Sequence, residues 1–219
     1  LKKLLINLAN NENKNSLASK LRRKRFKKFL EFVNKFEKPV SILDVGGTYN
    51  FWKNMNMNMD GIRITIGNID INPVADVKFE FINCDARDMK CLKDKEFDIV
   101  FSNSVIEHAG SFEESKKMAN EIRRVGKSYF VQTPYYHFPI EPHFLFPFFQ
   151  YLPLSLKIFL IRNFNLGWFQ KIKDYNEAKA LAQSINLLSI KQMKLLFPDS
   201  KVIKERFLGF IKSITAVKI

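Results

Sequence analysis

Cysteine is nearly absent from this chain of 219 residues, which holds only Cys84 and Cys91. Their placement matches neither a metal-ligand pair nor a secreted disulfide scaffold, so both are expected as reduced thiols. No Gly-x-Gly-x-x-Gly follows the first strand-like run, which sets aside an NAD-dependent dehydrogenase. No apolar run suits a bilayer span either. The most hydrophobic stretch, residues 142–156, is interrupted by Pro142, Pro147 and Pro153, whereas a span needs about 20 residues, usually helical. The leading LKKLLINLANNENKN has too short an apolar stretch and no small-residue cleavage site for a secretory signal. A cytoplasmic location is therefore expected, although the chain starts at Leu1 rather than Met and its natural start stays open. There is no internal repeat.

Acidic residues are also in deficit. Against 22 Asp and Glu stand 36 Lys and Arg, a net charge of +14, which favours anionic partners such as nucleic acid, phosphorylated metabolites or a lipid surface. With 46% hydrophobic residues over 219 positions, one substantial core and a single domain over 1–219 are expected. The 22 Phe exceed what a core needs; such aromatic surface tends to line clefts or lie against membranes.

Periodicity supplies the elements. Residues 16–36 set Leu17, Leu21, Phe29, Leu30, Val33 and Phe36 at helical spacings among Lys and Arg, and Pro39 closes the segment. This basic amphipathic helix makes residues 1–38 an N-terminal helical extension. Strand-like runs recur at VSILDV (40–45), IRITIG (62–67), VKFEFIN (77–83), FDIVFS (97–102) and KSYFVQT (127–133), and their spacing predicts a parallel sheet. Between the last two, Ser111 and Glu114 read as a capping box, Phe112, Met118, Ile122 and Val125 as an apolar stripe, and Gly126 as the helix end. Late in the chain LLSIKQMKLLFP reads as a helix, and KVIKERF and GFIKSITAVKI as an antiparallel pair. The NMNMNMD tract at 54–60 reads as a surface loop.

In an open α/β sheet the ligand crevice lies beyond the carboxyl ends of the strands, where their order reverses. Asp44-Val45-Gly46-Gly47-Thr48 falls there, either as a tight turn or as a loop that lets a ligand lie against bare backbone. The second strand ends GNID, offering Asp70 with Asn68 as an alternative on the same face. The third ends NCDARD, offering Asp85, which reads equally as a helix N-cap. The fourth ends SNSVIEH. Acidic and amide groups at successive strand ends suit a ribose, an adenine amino group and a cationic ligand, and suit a polyphosphate poorly.

SILDVGGT, GNID, NCDARD and FDIVFSNSVIEH, in this order, resemble the successive motifs of class I S-adenosylmethionine (SAM)-dependent methyltransferases. With EIRRVGKSYFVQTP, FPIEPHFLFPF and FLGFIKS, the set is similar to a bacterial group of such enzymes over about residues 20–219. The resemblance implies an α/β, Rossmann-like seven-stranded sheet, mostly parallel with the last strand antiparallel, helices on both faces and an inserted helical and aromatic segment after the fifth strand, here 134–180. It implies that Asp44, Gly46, Gly47 and Thr48 border the methionine part of the cofactor, Asp70 the ribose, Asp85 with Ala86 the adenine, and that Asn103 faces the cofactor. Asp44, Asp70 and Asp85 are expected to share one pocket. The loop departs from the family's Gly-x-Gly, because Thr48 stands at the second glycine position.

Methyl transfer from a sulfonium needs an in-line approach, exclusion of water and, where necessary, removal of a proton. His108 is the leading candidate for general base, with Glu107 orienting it or His143 sharing the work; His137 lies nearby in sequence. Glu107, His108, Glu141 and His143 also form a set of the kind that binds divalent ions, but the related Glu-x-x-Glu-His pattern has Ser104 in place of its first Glu, so no metal is assigned. Phe138, Phe144, Phe146, Phe148, Phe149, Tyr151 and Trp168 are candidates for an apolar wall over the acceptor or for the core of the insert. Seven of the nine residues 20–28 are Lys or Arg, favouring peripheral contact with an anionic membrane. The acceptor is expected to be a small molecule, sugar or lipid-linked glycan methylated on oxygen or nitrogen. RNA is less favoured, because SNSVIEH lacks the Asn/Asp-Pro-Pro-aromatic element of many base N-methyltransferases. A non-catalytic binding module is the remaining alternative.

Overall fold

The computed structural model describes residues 16–71 and 73–219. The first fifteen residues, where the sequence predicts no secretory signal, and Asn72 lie outside the described residues. The chain forms α1 (Leu17–Val33), β1 (Val40–Val45), α2 (Tyr49–Met55), β2 (Ile62–Asn68), β3 (Phe79–Asn83) and β4 (Phe97–Asn103), then α3 (Phe112–Val125) and β5 (Gly126–Pro134). The short β6 (Ile140–Glu141) and β7 (Phe146–Pro147), α4 (Leu154–Asn163), α5 (Tyr175–Gln183), α6 (Ile190–Leu196), β8 (Lys201–Phe207) and β9 (Phe210–Lys218) complete it.

Seven strands form one sheet in the order β3-β2-β1-β4-β5-β9-β8. Strands β1 to β5 pair in parallel, and β9 runs antiparallel to both β5 and β8. This is the Rossmann-like arrangement expected, and the late hairpin supplies its antiparallel strand. The order reverses between β1 and β4, so the crevice opens where their carboxyl ends diverge.

Each face of the sheet buries its own cluster. On one side α3 sets Met118, Ala119, Ile122 and Val125 against Leu43, Val100, Tyr129 and Val131, joined by Met193 and Leu196 of α6. On the other, α1 lays Phe26, Phe29, Phe32 and Val33 against Trp52, Phe101 and Phe130, with the Phe29 and Phe101 rings 4.4 Å apart. The buried stripe of α1 is thus broader than the predicted one: Phe26 and Phe32 belong to it, while Leu17 and Leu21 are half-buried.

Two local expectations change, whereas Gly126 closes α3 as expected: its amide donates to the Ile122 carbonyl, and with φ −96° it begins β5. Glycine is required there by close approach, since a Cβ would lie 2.6 Å from Val100 Cγ2. Ser111 accepts from the Glu114 amide at 3.3 Å, but the Glu114 carboxylate turns to Lys117 at 2.7 Å; the reciprocal capping box forms instead between Ser189 and Gln192. Within the Asn-Met tract, Asn54 and Met55 end α2, and Met55, Met57 and Met59 pack partly buried against the aromatic cluster, so the tract is not simply a surface loop.

Beyond β5 the β6–β7 hairpin, α4 and α5 form an insert with a cluster of its own. Phe144, Phe149, Ile158, Ile161, Leu166, Ala178 and Ala182 fill it, and the Phe144 and Phe149 rings stack at 4.0 Å. Phe148, Tyr151 and Trp168 remain exposed, so the aromatic residues divide between insert core and surface. Among the described residues no helix is long and apolar enough to cross a membrane.

Candidate functional site

The β1–α2 loop is shaped by one buried carboxylate. Asp44 is 2% exposed and accepts a hydrogen bond from Trp52 Nε1 at 2.6 Å; burial pushes its pKa up to about 7 despite that bond. Gly46 has φ +72° and abuts Val105, where a Cβ would fall 2.5 Å from Cγ1. Only glycine supplies both the left-handed backbone and the close approach. Thr48 caps α2, its hydroxyl accepting from the Phe51 amide at 3.3 Å.

Two hollows flank this loop. The first, about 290 Å³, is bordered by Gly46, Gly67, Asn68, Cys84 to Arg87, Ser104, Val105, His108 and Met118. The second, about 230 Å³, is bordered by Gly47, Thr48, Tyr49, Asp70 and Phe81, among others. The three aspartates therefore do not share one pocket. Asp85 lies in the first hollow, Asp70 in the second, and Asp44 is sealed beneath the loop. Asn68 ties the two hollows together: its Nδ2 donates to the Gly47 carbonyl at 3.0 Å, and its Oδ1 accepts from the Asp70 amide at 3.3 Å.

Asp85 caps no helix. Its Oδ1 accepts from the Arg87 amide at 2.9 Å, and the Arg87 guanidinium grips the carboxylate at 2.6 Å, holding its pKa below the usual range. Ala86 lines the first hollow beside it. Asn103 faces away from that hollow, because β4 turns its side chain toward α1 and its Oδ1 accepts from Arg25 at 2.9 Å. Ser104, with φ +58°, takes the place at the hollow's edge and donates to Gln132 Oε1 at 3.1 Å.

At the far end of the first hollow stands an acid–imidazole cluster. Glu107, on the short 3-10 turn Ile106–His108, is fully buried. Its Oε2 accepts from Thr133 Oγ1 at 2.9 Å, its Oε1 has no partner, and burial pushes its pKa up to about 7. The His108 and His143 rings meet edge to face at 4.9 Å. Burial and the neighbouring His143 push His108 down to about 4, so it is neutral over the ordinary pH range. Burial works to lower His143 as well, but the bond and charge of Glu141 and the charge of Glu107 outweigh it and raise its pKa.

Glu141, buried, organises the β6–β7 hairpin. It accepts from the His143 and Phe144 amides at 2.8 and 2.7 Å, and its Oε1 meets His143 Nδ1 at 2.7 Å. With those acceptors engaged, it stands behind His143 rather than beside it. Glu107, His108 and His143 each offer an atom within 4.8 Å of the others', so three of the four residues expected as a divalent-ion set come together, and Glu141 is not among them. His137 lies outside the cluster, exposed and bonded through Nδ1 to Tyr151 at 2.7 Å.

Sequence reading missed Gly67, Trp52, Thr133 and Arg25. Gly67 carried a signal, since a glycine inside a strand marks close approach; here a Cβ would lie 3.0 Å from Cys84 Sγ. The other three act through partners that no local pattern discloses.

A family model described as a methyltransferase domain matches residues 51–129, from α2 into β5. Two uncharacterized proteins from strains of Mycobacterium tuberculosis are 29% identical over 125 residues, covering 57% of this chain and 40% of theirs. The chain thus aligns with less than half the length of these curated relatives. Among solved structures, the CurJ carbon methyltransferase superposes with a TM-score of 0.59 at 14% identity, over 94% of this chain and 56% of that one. A Galdieria sulphuraria protein assigned as a sarcosine dimethylglycine methyltransferase gives 0.52 at 16% identity, over 86% and 64%. The structural likenesses establish the fold. The family match likens residues 51–129 to a methyltransferase domain, over about a third of the chain.

Proposed function

We propose that the protein transfers a methyl group from SAM to an oxygen or nitrogen of a small-molecule, sugar or lipid-linked acceptor. One observation carries this reading: the hollow floored by Gly46 and Gly67 ends at the imidazole of His108. The residues fit the cofactor. Bare main chain at Gly46 admits the amino-acid part, Ala86, Val105 and Met118 offer apolar contact, and Asn68 and Asp85 offer polar groups on the same wall. Asp70 reaches the ribose only from the neighbouring hollow, which makes Asn68 the better placed of the two.

Bound there, SAM supplies a methyl already activated on sulfonium. The chain holds the acceptor in line and takes its proton. With SAM bound, the acceptor proton would pass to neutral His108 as the methyl moves from sulfur to the acceptor heteroatom and S-adenosylhomocysteine is released. The Glu141 charge would favour the imidazolium so formed, against burial and the neighbouring His143. This reading uses no metal. Calorimetry with S-adenosylhomocysteine, followed by a radiolabelled-methyl screen of acceptors, tests it; absence of cofactor affinity would leave a non-catalytic module.

A membrane-peripheral setting has one supporting observation. Lys20, Arg23, Lys24, Lys27 and Lys28 are exposed along α1, a cationic ridge suited to an anionic bilayer. Salt-sensitive co-sedimentation with anionic vesicles supports it, and preferential binding to RNA fragments would favour the nucleic-acid alternative.

A further inference from the structure

A larger cavity than either hollow beside the β1–α2 loop lies nearby. It is a chamber of about 470 Å³ between the start of α3, the insert and the segment after α5. Phe112, Phe144 and Phe149 give it aromatic walls, while Tyr136, Gln150 and Lys157 set polar groups among them. Glu141 also lines it, bonded to His143, whose ring touches His108 on the edge of the cofactor hollow. A continuous line of three side chains therefore joins chamber to hollow.

We propose that this chamber binds a glycosyl unit, a ring carrying several free hydroxyls, as the body of the acceptor. As a claim about the acceptor it rests on the methyl-transfer reading. Three features select that class. Aromatic faces among hydrogen-bonding groups suit a ring with apolar C–H faces and polar edges. Gln150, whose Nε2 donates to the carbonyls of Tyr136 and Phe138 at 2.9 and 2.8 Å, fixes the segment from which Tyr136 brings a phenolic hydroxyl to the lining, a group able to donate to or accept from a ring hydroxyl. The formal charge is sparse, with Lys157 beside a Glu141 already engaged by its own hairpin, which disfavours a polyanion. Lys157 keeps donors to spare: its one hydrogen bond goes to the Gln150 carbonyl at 3.2 Å.

Saturation-transfer NMR on the whole chain, with and without S-adenosylhomocysteine, using methyl glycosides and octyl glycosides of common hexoses, tests this. Saturation of ring protons is expected, with binding about tenfold weaker in Tyr136→Phe and in Lys157→Met and S-adenosylhomocysteine affinity unchanged. Equal affinity for the methyl and octyl forms points to a free sugar, and tighter octyl binding to a lipid-linked one. Saturation confined to the alkyl chain, absence of any ring signal, or indifference to both substitutions overturns the proposal. Ring binding without S-adenosylhomocysteine binding retains the glycosyl chamber and removes the methyl-transfer reading.

Discussion

The Asp44 carboxylate fills the space that a side chain at position 47 would need: a Cβ on Gly47 would lie 1.7 Å from Oδ2 and 2.1 Å from Cγ. The paired glycines are thus consequences of two different neighbours. Gly46 yields to Val105, and Gly47 to the acid that ends β1. The difference from the Gly-x-Gly of the methyltransferases that the sequence resembles has a local reason, because the position needing bare backbone is the one folded over Asp44, and the next residue is free to be the α2 cap, Thr48.

Gly47→Ala should therefore displace Asp44 from Trp52 and destabilise the protein by about 1–3 kcal/mol, the cost of leaving a buried polar group unsatisfied. In an Asp44→Ala background the same substitution should cost much less, because the clash is gone. A double-mutant cycle by urea denaturation measures the difference. Additive effects would show that the two residues are not in conflict.

The same carboxylate imposes a pH dependence. Burial pushes Asp44 up to about 7, so between the ordinary carboxylate range and about pH 7 the folded chain keeps a proton that the unfolded chain has released. Stability contributed by this group is highest at the acid end, falls as pH rises through that window, and levels above about 7. Asp44→Asn should flatten this part of the profile. Comparing thermal midpoints of the two proteins from pH 4.5 to 7.5 isolates the effect from the other titrating groups. Parallel curves would show that Asp44 titrates normally.

His108→Ala should lower turnover by about 10²- to 10⁴-fold while S-adenosylhomocysteine affinity stays within a few-fold of the parent. Its depressed pKa, about 4, predicts that protonation of this ring does not limit the rate above about pH 5. Kinetics with an identified acceptor and calorimetry provide the two readouts. Near-normal turnover would remove the general-base role.

What the sequence discloses and what it hides divide along a physical line. Strands β1, β2, β4 and β5 are legible because burial on both faces leaves continuous apolar runs, whereas β3 and β8, at the sheet's edges with no buried residue, show through apolar and polar alternation between turn residues. The strand-end positions of Asp44, Asp85 and His108 follow from that register. Which hollow a strand-end residue enters does not follow, because one step along a strand changes its face; hence Asn103 meets Arg25 while Ser104 borders the first hollow. The Glu107–Thr133 contact depends on how the 3-10 turn after β4 packs on β5, and the Glu141–His143 contact on the tight β6–β7 hairpin, neither of which helical and strand periods encode. The Trp52–Asp44 bond was hidden for a similar reason, since the turn geometry of residues 46–48 decides where α2 points.

Arg25 is the clearest case of a residue whose pattern misleads. It belongs to a run of Lys and Arg that reads as a solvated helix face, yet its side chain is 13% exposed and its Nε pairs with Glu205 at 2.9 Å. One guanidinium nitrogen donates to both Asn103 and Gln132, at 2.9 and 2.7 Å. It thereby clasps α1 to the ends of β4 and β5 and to β8, and through Gln132 it reaches Ser104 at the edge of the first hollow. Arg25→Met preserves the stem but leaves Glu205 without its cation in a site largely shut from water, for which a loss of about 3–5 kcal/mol is expected. Lys24→Met, on the exposed ridge of the same helix, should change stability by no more than about 0.5 kcal/mol. Urea unfolding of the two variants gives the comparison, and equal losses would mean that Arg25 contributes no more than its solvated neighbour.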